Sequence, residues 1–252
     1  MNTDTTIEPE LEFPDSDGLP MSENSRQYEA IVTLKGNLEA FVPMDAFVAG
    51  DHLIYVDSRD PKLRQAPDVY VALGRPRGHR GSYKLWEEEN VFPQVVFEVL
   101  GPSNTDAEMR QKRRFYFAHG AEEYYEFDPE AGTWLGFVVD PNTGLPRQVV
   151  EMDGHTSPLL GMKFGFRPLE LIAFRPDGSR FLSFQEQEDR RVAEHQRAEA
   201  ERQRADAEHL RAEAERQRAD AEHQRAEQAQ LAADRFLAML RAAGLDPDKP
   251  AG

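Results

Sequence analysis

A 14-residue stretch near the C-terminus occurs twice in succession, and its composition leaves little choice of structure. RAEAERQRADAEHL at 197–210 recurs as RAEAERQRADAEHQ at 211–224, with Gln224 in place of Leu210. Ala, Glu, Arg and Gln are strong helix formers, and no Gly or Pro interrupts residues 185–243. Opposite charges three residues apart, as in Glu199 and Arg202, add support along one helix. We therefore predict one continuous charged helix over residues 185–243.

The repeat has a period of seven residues, which is typical of coiled coils. One seam of the helix would carry uncharged side chains: Ala200, Gln203, Ala207, Leu210, Ala214, Gln217, Ala221 and Gln224. Ala and Gln bury little surface, so this seam is weaker than one of Ile and Leu. Two readings therefore stay open: a homo-oligomer that forms through the C-terminal helix, and a single solvated helix.

Hydrophobic residues make up 39% of the 252-residue chain, but they are unevenly distributed. After residue 184, Val192 and Phe236 are the only Val, Ile, Phe, Tyr or Trp residues. We therefore predict a folded domain over 21–184, since only this part can bury a core. The acidic, Pro-containing residues 1–20 are predicted to be disordered, apart from any docking of Phe13, and 244–252 to be a flexible C-terminus.

The chain contains no cysteine, which excludes disulfides and thiolate zinc sites. Its N-terminus has no basic and apolar signal-like segment, and no apolar run approaches the about 18 residues of a membrane span. We expect a cytoplasmic protein without a membrane partner.

Periodicity within 21–184 predicts alternating helices and strands. Ser22 or Asn24 is expected to cap a helix that ends near Phe41, and SNTDAEMRQKRRFYFAHG is expected to form a second helix that stops at Gly120. The predicted strands are DHLIYVDS, APDVYVALG, VFPQVVFEVL, EEYYEFDP and a hairpin from TWLGFVVDPNTG. GRPRGHRGSYKLWEEEN is predicted to be an exposed loop. This order indicates an α/β domain with a mixed β-sheet flanked by helices.

Two acidic residues on predicted strands suggest chemistry. Asp68 begins one strand after Pro67, and Glu98 lies within the apolar run VVFEVL, where an unpaired carboxylate costs several kcal/mol. If these strands are adjacent, the two carboxylates offer the hard oxygen ligands that Mg²⁺ or Mn²⁺ prefers. Lys112 on the following helix could reach the same point and stabilise a phosphate. Taken singly, each residue has an ordinary structural explanation: a turn, a satisfied buried acid, or a solvated helix face.

The order of these segments resembles a known family. DGLPMSEN, PDVYV, YKLWEEE, VVFEVLGPS, KRRFY and EEYYEFDP are similar, over about residues 18–175, to the Uma-two family of putative restriction endonucleases. That family belongs to the PD-(D/E)XK nuclease superfamily. The resemblance implies a restriction-endonuclease-like fold and a metal-dependent phosphodiesterase with Asp68 and Glu98 as ligands of Mg²⁺ or Mn²⁺.

The sequence departs from the superfamily pattern at one position. The superfamily has a Lys two residues after the Glu, where this chain has Leu100. The resemblance implies that Lys112 on the following helix takes its place as the third catalytic group. It also implies accessory roles for Glu23, as a first-helix acid, and for Glu108, which precedes Lys112.

A net charge of −16 gives the whole chain no general affinity for nucleic acid. A nuclease would therefore need a local basic surface, and the predicted one lies in the loop after the PDVYV strand and on the second helix. Its residues are Arg75, Arg77, Arg80, Lys84 and Arg113. They could neutralise phosphates, or they could belong to an ordinary solvated loop.

The combined interpretation is an Mg²⁺-dependent endonuclease that hydrolyses phosphodiester bonds, with DNA as the expected substrate. The alternative is a catalytically decayed nuclease domain that acts as an interaction scaffold through its helical tail. The complete set of Asp68, Glu98 and Lys112 favours the enzyme, whereas the acidic surface and the long C-terminal repeat favour the scaffold.

Overall fold

The computed structural model describes residues 11–16, 18 and 21–243. Within them, the residues up to Gln187 form one compact unit and those from Glu188 form a second. The helices are α1 (Ser25–Phe41), α2 (Asp106–His119) and α3 (Phe184–Ala242). The strands are β1 (Ala46–Ala49), β2 (Ile54–Tyr55), β3 (Arg64–Gln65), β4 (Val69–Leu73), β5 (Tyr83–Lys84), β6 (Val95–Val99), β7 (Glu123–Asp128), β8 (Thr133–Val139), β9 (Pro146–Gln148), β10 (Lys163–Phe164) and β11 (Ala173–Phe174).

Helix α1 begins and ends where local chemistry requires it. Asn24 is the cap, because its side-chain oxygen accepts from the backbone N–H of Gln27 at 2.9 Å. Of the two caps that the sequence allowed, the structure therefore selects Asn24. The helix stops at Val42, whose backbone is extended, as expected for the residue before Pro43. Its apolar face, which includes Ile31, Leu34 and Leu38, packs into the core on one side of the sheet.

The main sheet has six strands in the order β1-β4-β6-β7-β8-β9. All neighbours are antiparallel except β6 and β7, which are parallel and are joined by α2. A parallel pair needs such a crossover because the chain must return to the same end of the sheet. Every residue of β6 is buried, since the α1 side of the sheet and the α2 side each carry a hydrophobic cluster. The predicted mixed sheet with flanking helices is confirmed.

Three short strands, β1, β3 and β5, were not predicted, whereas β2 lies within the predicted strand DHLIYVDS. β1 pairs antiparallel with β4, and β2 lies between β3 and β5 in a separate small sheet. The prediction of an exposed loop over GRPRGHRGSYKLWEEEN is wrong for much of that segment. Tyr83, Arg75 and Glu88 are buried there, because the segment folds back onto β2 and onto the aromatic side of the sheet.

Phe13, whose docking the sequence prediction allowed for, lies against the folded domain. The ring of Phe13 packs edge-on against Tyr55 and Trp86, with centroids 5.2 and 5.1 Å apart. The Tyr55 hydroxyl also donates to the carbonyl of Pro14 at 2.5 Å. The predicted disordered segment, apart from residues 11–16 and Gly18, and the predicted flexible C-terminus at 244–252 lie outside the described residues.

Helix α3 spans 59 residues, shifted by one residue from the prediction, and none of its residues is buried. A reciprocal capping box begins it: Ser183 Oγ accepts from the Glu186 N–H at 3.2 Å, and Glu186 Oε2 accepts from the Ser183 N–H at 2.8 Å. No helix among the described residues is long and apolar enough to cross a membrane.

Candidate active site on the α2 side of the sheet

The register of β4 and β6 brings Asp68 and Glu98 together. Val69 pairs with Phe97 in this antiparallel ladder, so the preceding Asp68 lies opposite Glu98. Both side chains point to the α2 side, because alternate residues of a strand face alternate sides of a sheet. The backbone N–H of Val99 donates to Asp68 Oδ2 at 2.6 Å, which holds the Asp68 carboxylate at the start of β4.

Helix α2 supplies two hydrogen bonds to the buried Glu98. Lys112 Nζ donates to Glu98 Oε2 at 3.1 Å, and the Tyr116 hydroxyl donates to Glu98 Oε1 at 2.6 Å. Lys112 and Tyr116 are four residues apart and therefore lie on the same face of α2. The structure thus brings together Asp68, Glu98 and Lys112, the three residues that the sequence singled out.

The electrostatics of this cluster follow from burial and from excess negative charge. Burial and the neighbouring Glu98 charge raise the pKa of Asp68 well above its usual value, against the opposing Val99 N–H and Lys112. Burial by itself would lower the pKa of Lys112, but Glu98 and Asp68 raise it overall, so the side chain stays an ammonium. Burial, with the charge of Glu98, raises the pKa of Tyr116 well above its usual value, and the phenol remains a donor.

This donor set fits a hard divalent cation. Two adjacent carboxylates face a single ammonium group, and the charge of Glu98 adds to burial in raising the pKa of Asp68. Mg²⁺ is usually held by one or two carboxylates and completes its shell with water or substrate phosphate. No set of three or more His, Cys, Asp or Glu residues in the described part of the chain forms a metal site. Asp68 and Glu98 would therefore be a two-carboxylate set.

The two accessory acids do not contact this pair. Glu23 is exposed and accepts from the backbone N–H of Ser103 at 3.0 Å and from its hydroxyl, so it ties the start of α1 to the loop after β6. Glu108 lies on the exposed first turn of α2, and its charge contributes to raising the pKa of Lys112. Accessory roles for both residues stay predictions.

Comparison with known proteins identifies the family of this fold. Residues 16–175, well over half of the chain, match the sequence model of a family described as putative restriction endonucleases, Uma2. The chain belongs to the Uma2 family. The similarity runs from the segment before α1 to the end of β11, so it includes Asp68, Glu98 and Lys112.

The Uma2 chain also matches a solved structure. This is a putative nuclease belonging to DUF820 from Anabaena variabilis ATCC 29413, at 13% sequence identity and a TM-score of 0.40. The match covers 54% of this chain and 73% of the other. No curated protein matches the chain.

Two of the residues after β4 that are predicted to contact nucleic acid form ion pairs within the Uma2 chain itself. Arg75 and Arg80 both pair with the buried Glu88, with N–O distances of 3.1 and 2.5 Å. The Arg80 guanidinium also lies 3.9 Å above the ring of Phe47. This part of the segment is therefore an internal ion-pair cluster, which neither reading of the sequence anticipated.

The three remaining cations also have partners. Arg77 donates to the carbonyls of Glu39 and Val42, and Lys84 Nζ lies 3.4 Å from Glu87. Arg113 pairs with Glu126 at 3.2 Å and lies 3.9 Å above the ring of Phe137. Contacts of all five cations with nucleic acid stay a prediction, and each would have to be made by a charge that is already paired or hydrogen-bonded.

Three residues around the site, Tyr116, Gln27 and Glu126, were not predicted from the sequence. Tyr116 lies one turn after Lys112, and that spacing was the signal that could have identified it. Gln27 donates to the Val99 carbonyl at 2.8 Å and accepts from the Glu23 N–H at 2.8 Å, a long-range contact that no local pattern indicates. Glu126 pairs in register with Glu98 on β7, so three carboxylates lie in a row across β4, β6 and β7.

Proposed function

We propose that this Uma2 domain is an Mg²⁺- or Mn²⁺-dependent endonuclease that hydrolyses phosphodiester bonds in nucleic acid. The observation that carries the proposal is the placement of Asp68, just before β4, opposite Glu98 of β6, with Lys112 Nζ 3.1 Å from Glu98 Oε2. Two converging carboxylates with a neighbouring ammonium group suit phosphoryl chemistry, in which negative charge must be bound and stabilised.

Each residue of the site has a distinct role in this proposal. Asp68 and Glu98 would hold the divalent cation, which when bound supplies Lewis acidity at a phosphate oxygen. Lys112 stabilises the negative charge that grows on phosphorus-bound oxygens while water attacks phosphorus and the ester oxygen leaves. Tyr116 and the Val99 N–H fix the two carboxylates. Position 100, two residues after Glu98, is a leucine and carries no charge. Lys112 on α2 therefore supplies the ammonium group that stabilises the charge on the phosphate oxygens.

The restriction-endonuclease description of the family favours DNA as the substrate. The net charge of −16 and the internally engaged arginines mean that long-range attraction contributes little to binding. We therefore expect binding that depends strongly on the divalent cation at Asp68 and Glu98, since a cation there lowers the local negative charge.

The alternative function is that of an interaction scaffold whose nuclease domain no longer cleaves. The specific observation in its favour is α3, a 59-residue helix with no buried residue, which exceeds anything that a small nuclease core needs. The scaffold would use the same fold but would not require Lys112.

A cleavage assay separates the two functions. Full-length protein would be incubated with supercoiled plasmid, single-stranded DNA and RNA under Mn²⁺, with Lys112→Met beside it. Met keeps most of the apolar stem but removes the ammonium group that pairs with the buried Glu98, so circular dichroism must first verify that the variant is folded. In the folded variant, cleavage should fall about 10²-fold because a transition-state cation is lost. The matched control is Lys62→Met, which removes an exposed lysine on the β2–β3 connection.

The outcomes are distinct. If the wild-type protein cleaves none of these substrates with Mn²⁺, and none when the assay is repeated with Mg²⁺, the endonuclease proposal is wrong and the scaffold is favoured. If Lys112→Met cleaves as fast as wild type, the role of Lys112 is wrong. Partial recovery of activity in Leu100→Lys combined with Lys112→Met would support the exchange of one lysine position for the other.

A further inference from the structure

Helix α3 has one seam that differs from all the others. A seam is a line of residues along the helix that are alternately three and four positions apart. A repeat of seven residues has seven possible seams, one starting at each position of the repeat. Six of them carry a charged residue or a histidine in every heptad. The seventh carries only Ala200, Ala207, Ala214 and Ala221 alternating with Gln203, Leu210, Gln217 and Gln224.

Charges of one sign flank this uncharged seam on each side. On one side, immediately after each Gln or Leu, stand Arg204, Arg211, Arg218 and Arg225. On the other side, immediately before each Ala, stand Glu199, Asp206, Glu213 and Asp220. The sign never changes on either side, and a helix that merely needed solubility would have no reason to separate its charges in this way.

Most of these flanking charges form no ion pair within the described part of the chain. Among the described residues, none of the four arginines forms an ion pair. On the acidic side, Glu199 and Glu213 lie 3.8 and 3.9 Å from the histidines four residues before them. Asp206 and Asp220 have no ion pair in the described part of the chain. Opposite charges are therefore available to a partner along both edges of the seam.

We propose that α3 binds α3 of a second copy of this chain as a parallel, in-register coiled coil. In that arrangement, a residue just before a seam Ala faces the residue five positions later on the other helix. Glu199 then meets Arg204 of the second copy, and the same spacing joins Asp206 to Arg211, Glu213 to Arg218 and Asp220 to Arg225. An antiparallel pair would place arginine opposite arginine and acid opposite acid, which is repulsive.

The seam itself contributes modestly, and the charges decide the orientation. Ala allows the helices to approach closely, and Leu210 and Leu231 occupy equivalent seam positions while 65% and 60% exposed in the single chain. Pairing would cover both leucines. Because much of the specificity is electrostatic and lies at the surface, association should weaken as salt rises.

Sedimentation equilibrium on the full-length chain tests the association. At tens of micromolar and low salt, the wild-type protein should have twice the mass of one chain. A variant in which Arg204, Arg211, Arg218 and Arg225 are all changed to Glu should sediment as a monomer. Changing Glu199, Asp206, Glu213 and Asp220 to Lys in that same variant exchanges the two sides and should restore the dimer.

The exchanged variant has the same net charge as the wild-type chain, whereas the arginine variant is more acidic by eight charges, so the helicity of both must be checked. Circular dichroism would verify that each remains helical. A wild-type chain that stays monomeric overturns the proposal. It is equally overturned if the arginine variant remains a dimer, or if the exchanged variant is helical but monomeric.

Single cysteines test the orientation, because the chain has none of its own. Gln196→Cys and Gln224→Cys lie near the two ends of the seam. When the helices are parallel, each cysteine should form a disulfide with the same cysteine of the second copy. Ala212→Cys, on the opposite face, should crosslink much more slowly. Crosslinking only in a mixture of the 196 and 224 variants would mean an antiparallel pair and would overturn the assigned orientation.

Discussion

The hydroxyl of Tyr116 donates a 2.6 Å hydrogen bond to Oε1 of Glu98, a carboxylate that is only 1% exposed. Lys112, one turn earlier on α2, occupies the other oxygen at 3.1 Å. Helix α2 therefore fixes both oxygens of Glu98 on the side where Asp68 approaches from β4. The Glu98 carboxylate is therefore held by a neutral phenol and an ammonium group rather than by packing alone.

Removing the phenol should affect metal binding more than folding. Tyr116→Phe leaves the ring in place but leaves Glu98 Oε1 without its donor, at a cost of about 1–3 kcal/mol to the free energy of unfolding. Loss of a group that orients a ligand typically costs about 10- to 100-fold in metal affinity. The half-saturating Mn²⁺ concentration for cleavage should rise accordingly. Tyr28→Phe, at an exposed tyrosine of α1, is the control, and an unchanged Mn²⁺ requirement in Tyr116→Phe would contradict the positioning role.

Divalent metal should stabilise the full-length protein through Asp68 and Glu98. A ligand at 100 times its dissociation constant adds about 2.7 kcal/mol to the free energy of unfolding, so the melting temperature should rise measurably with Mg²⁺ or Mn²⁺. Asp68→Asn and Glu98→Gln should both abolish this rise, because each removes a ligand charge. Asp153→Asn changes an exposed acid and should leave the rise intact. A persistent shift in either site variant would place the metal elsewhere.

The Arg75–Arg80–Glu88 cluster predicts a structural role for Arg80. Arg80→Gln would leave the buried Glu88 with Arg75 as its main cationic partner, and would remove the guanidinium from the ring of Phe47. We expect a loss of about 2 kcal/mol in the free energy of unfolding, below the cost of leaving a buried charge wholly unpaired. Arg114→Gln, at an exposed arginine of α2, should change stability little. If Arg80→Gln instead unfolds like wild type but binds DNA more weakly, then Arg80 contacts phosphate.

The buried carboxylate of Glu123 should make the free energy of unfolding depend on pH. This carboxylate is 1% exposed and accepts only from neutral donors: the hydroxyls of Tyr125 and Ser157 and the Leu159 N–H. Burial raises the pKa of Glu123 above its usual value, against these hydrogen bonds. Because the pKa of Glu123 is higher in the folded protein than in the unfolded chain, about 4.3, the protonated carboxyl adds to the free energy of unfolding. This contribution is complete below the unfolded-state pKa and is lost as the pH rises through the folded-state pKa.

Glu123→Gln removes this titration while keeping the size of the side chain. The free energy of unfolding of the variant, relative to wild type, should therefore increase from about pH 4 to pH 8. Urea titrations across this range measure the difference. Glu122→Gln, at the exposed neighbour, supplies the control. A difference that does not change with pH would mean that the Glu123 carboxylate is not shifted by burial.

Local sequence patterns predicted most of the regular elements. Helix α2 has a capping residue at Thr105 and a terminating Gly120, and β6 is an apolar β-prone run, so both were found close to their observed bounds. β1 was missed because its four residues, Ala46–Ala49, carry neither alternation nor a flanking signal beyond Gly50. Its burial comes from pairing with β4, which no local pattern specifies.

The sequence by itself determined the helix α3 and the placement of two acids on or beside predicted strands, with one lysine on the following helix. It could do so because helix propensity, capping and strand periodicity act over a few residues. Only the tertiary structure decided that the Tyr116 hydroxyl donates to Glu98 and that the Gln27 side chain donates to the Val99 carbonyl. It also decided that Arg75 and Arg80 both form ion pairs with Glu88. These contacts depend on how β4, β6, α1 and α2 pack, and an arginine that pairs internally has the same sequence appearance as one that faces solvent.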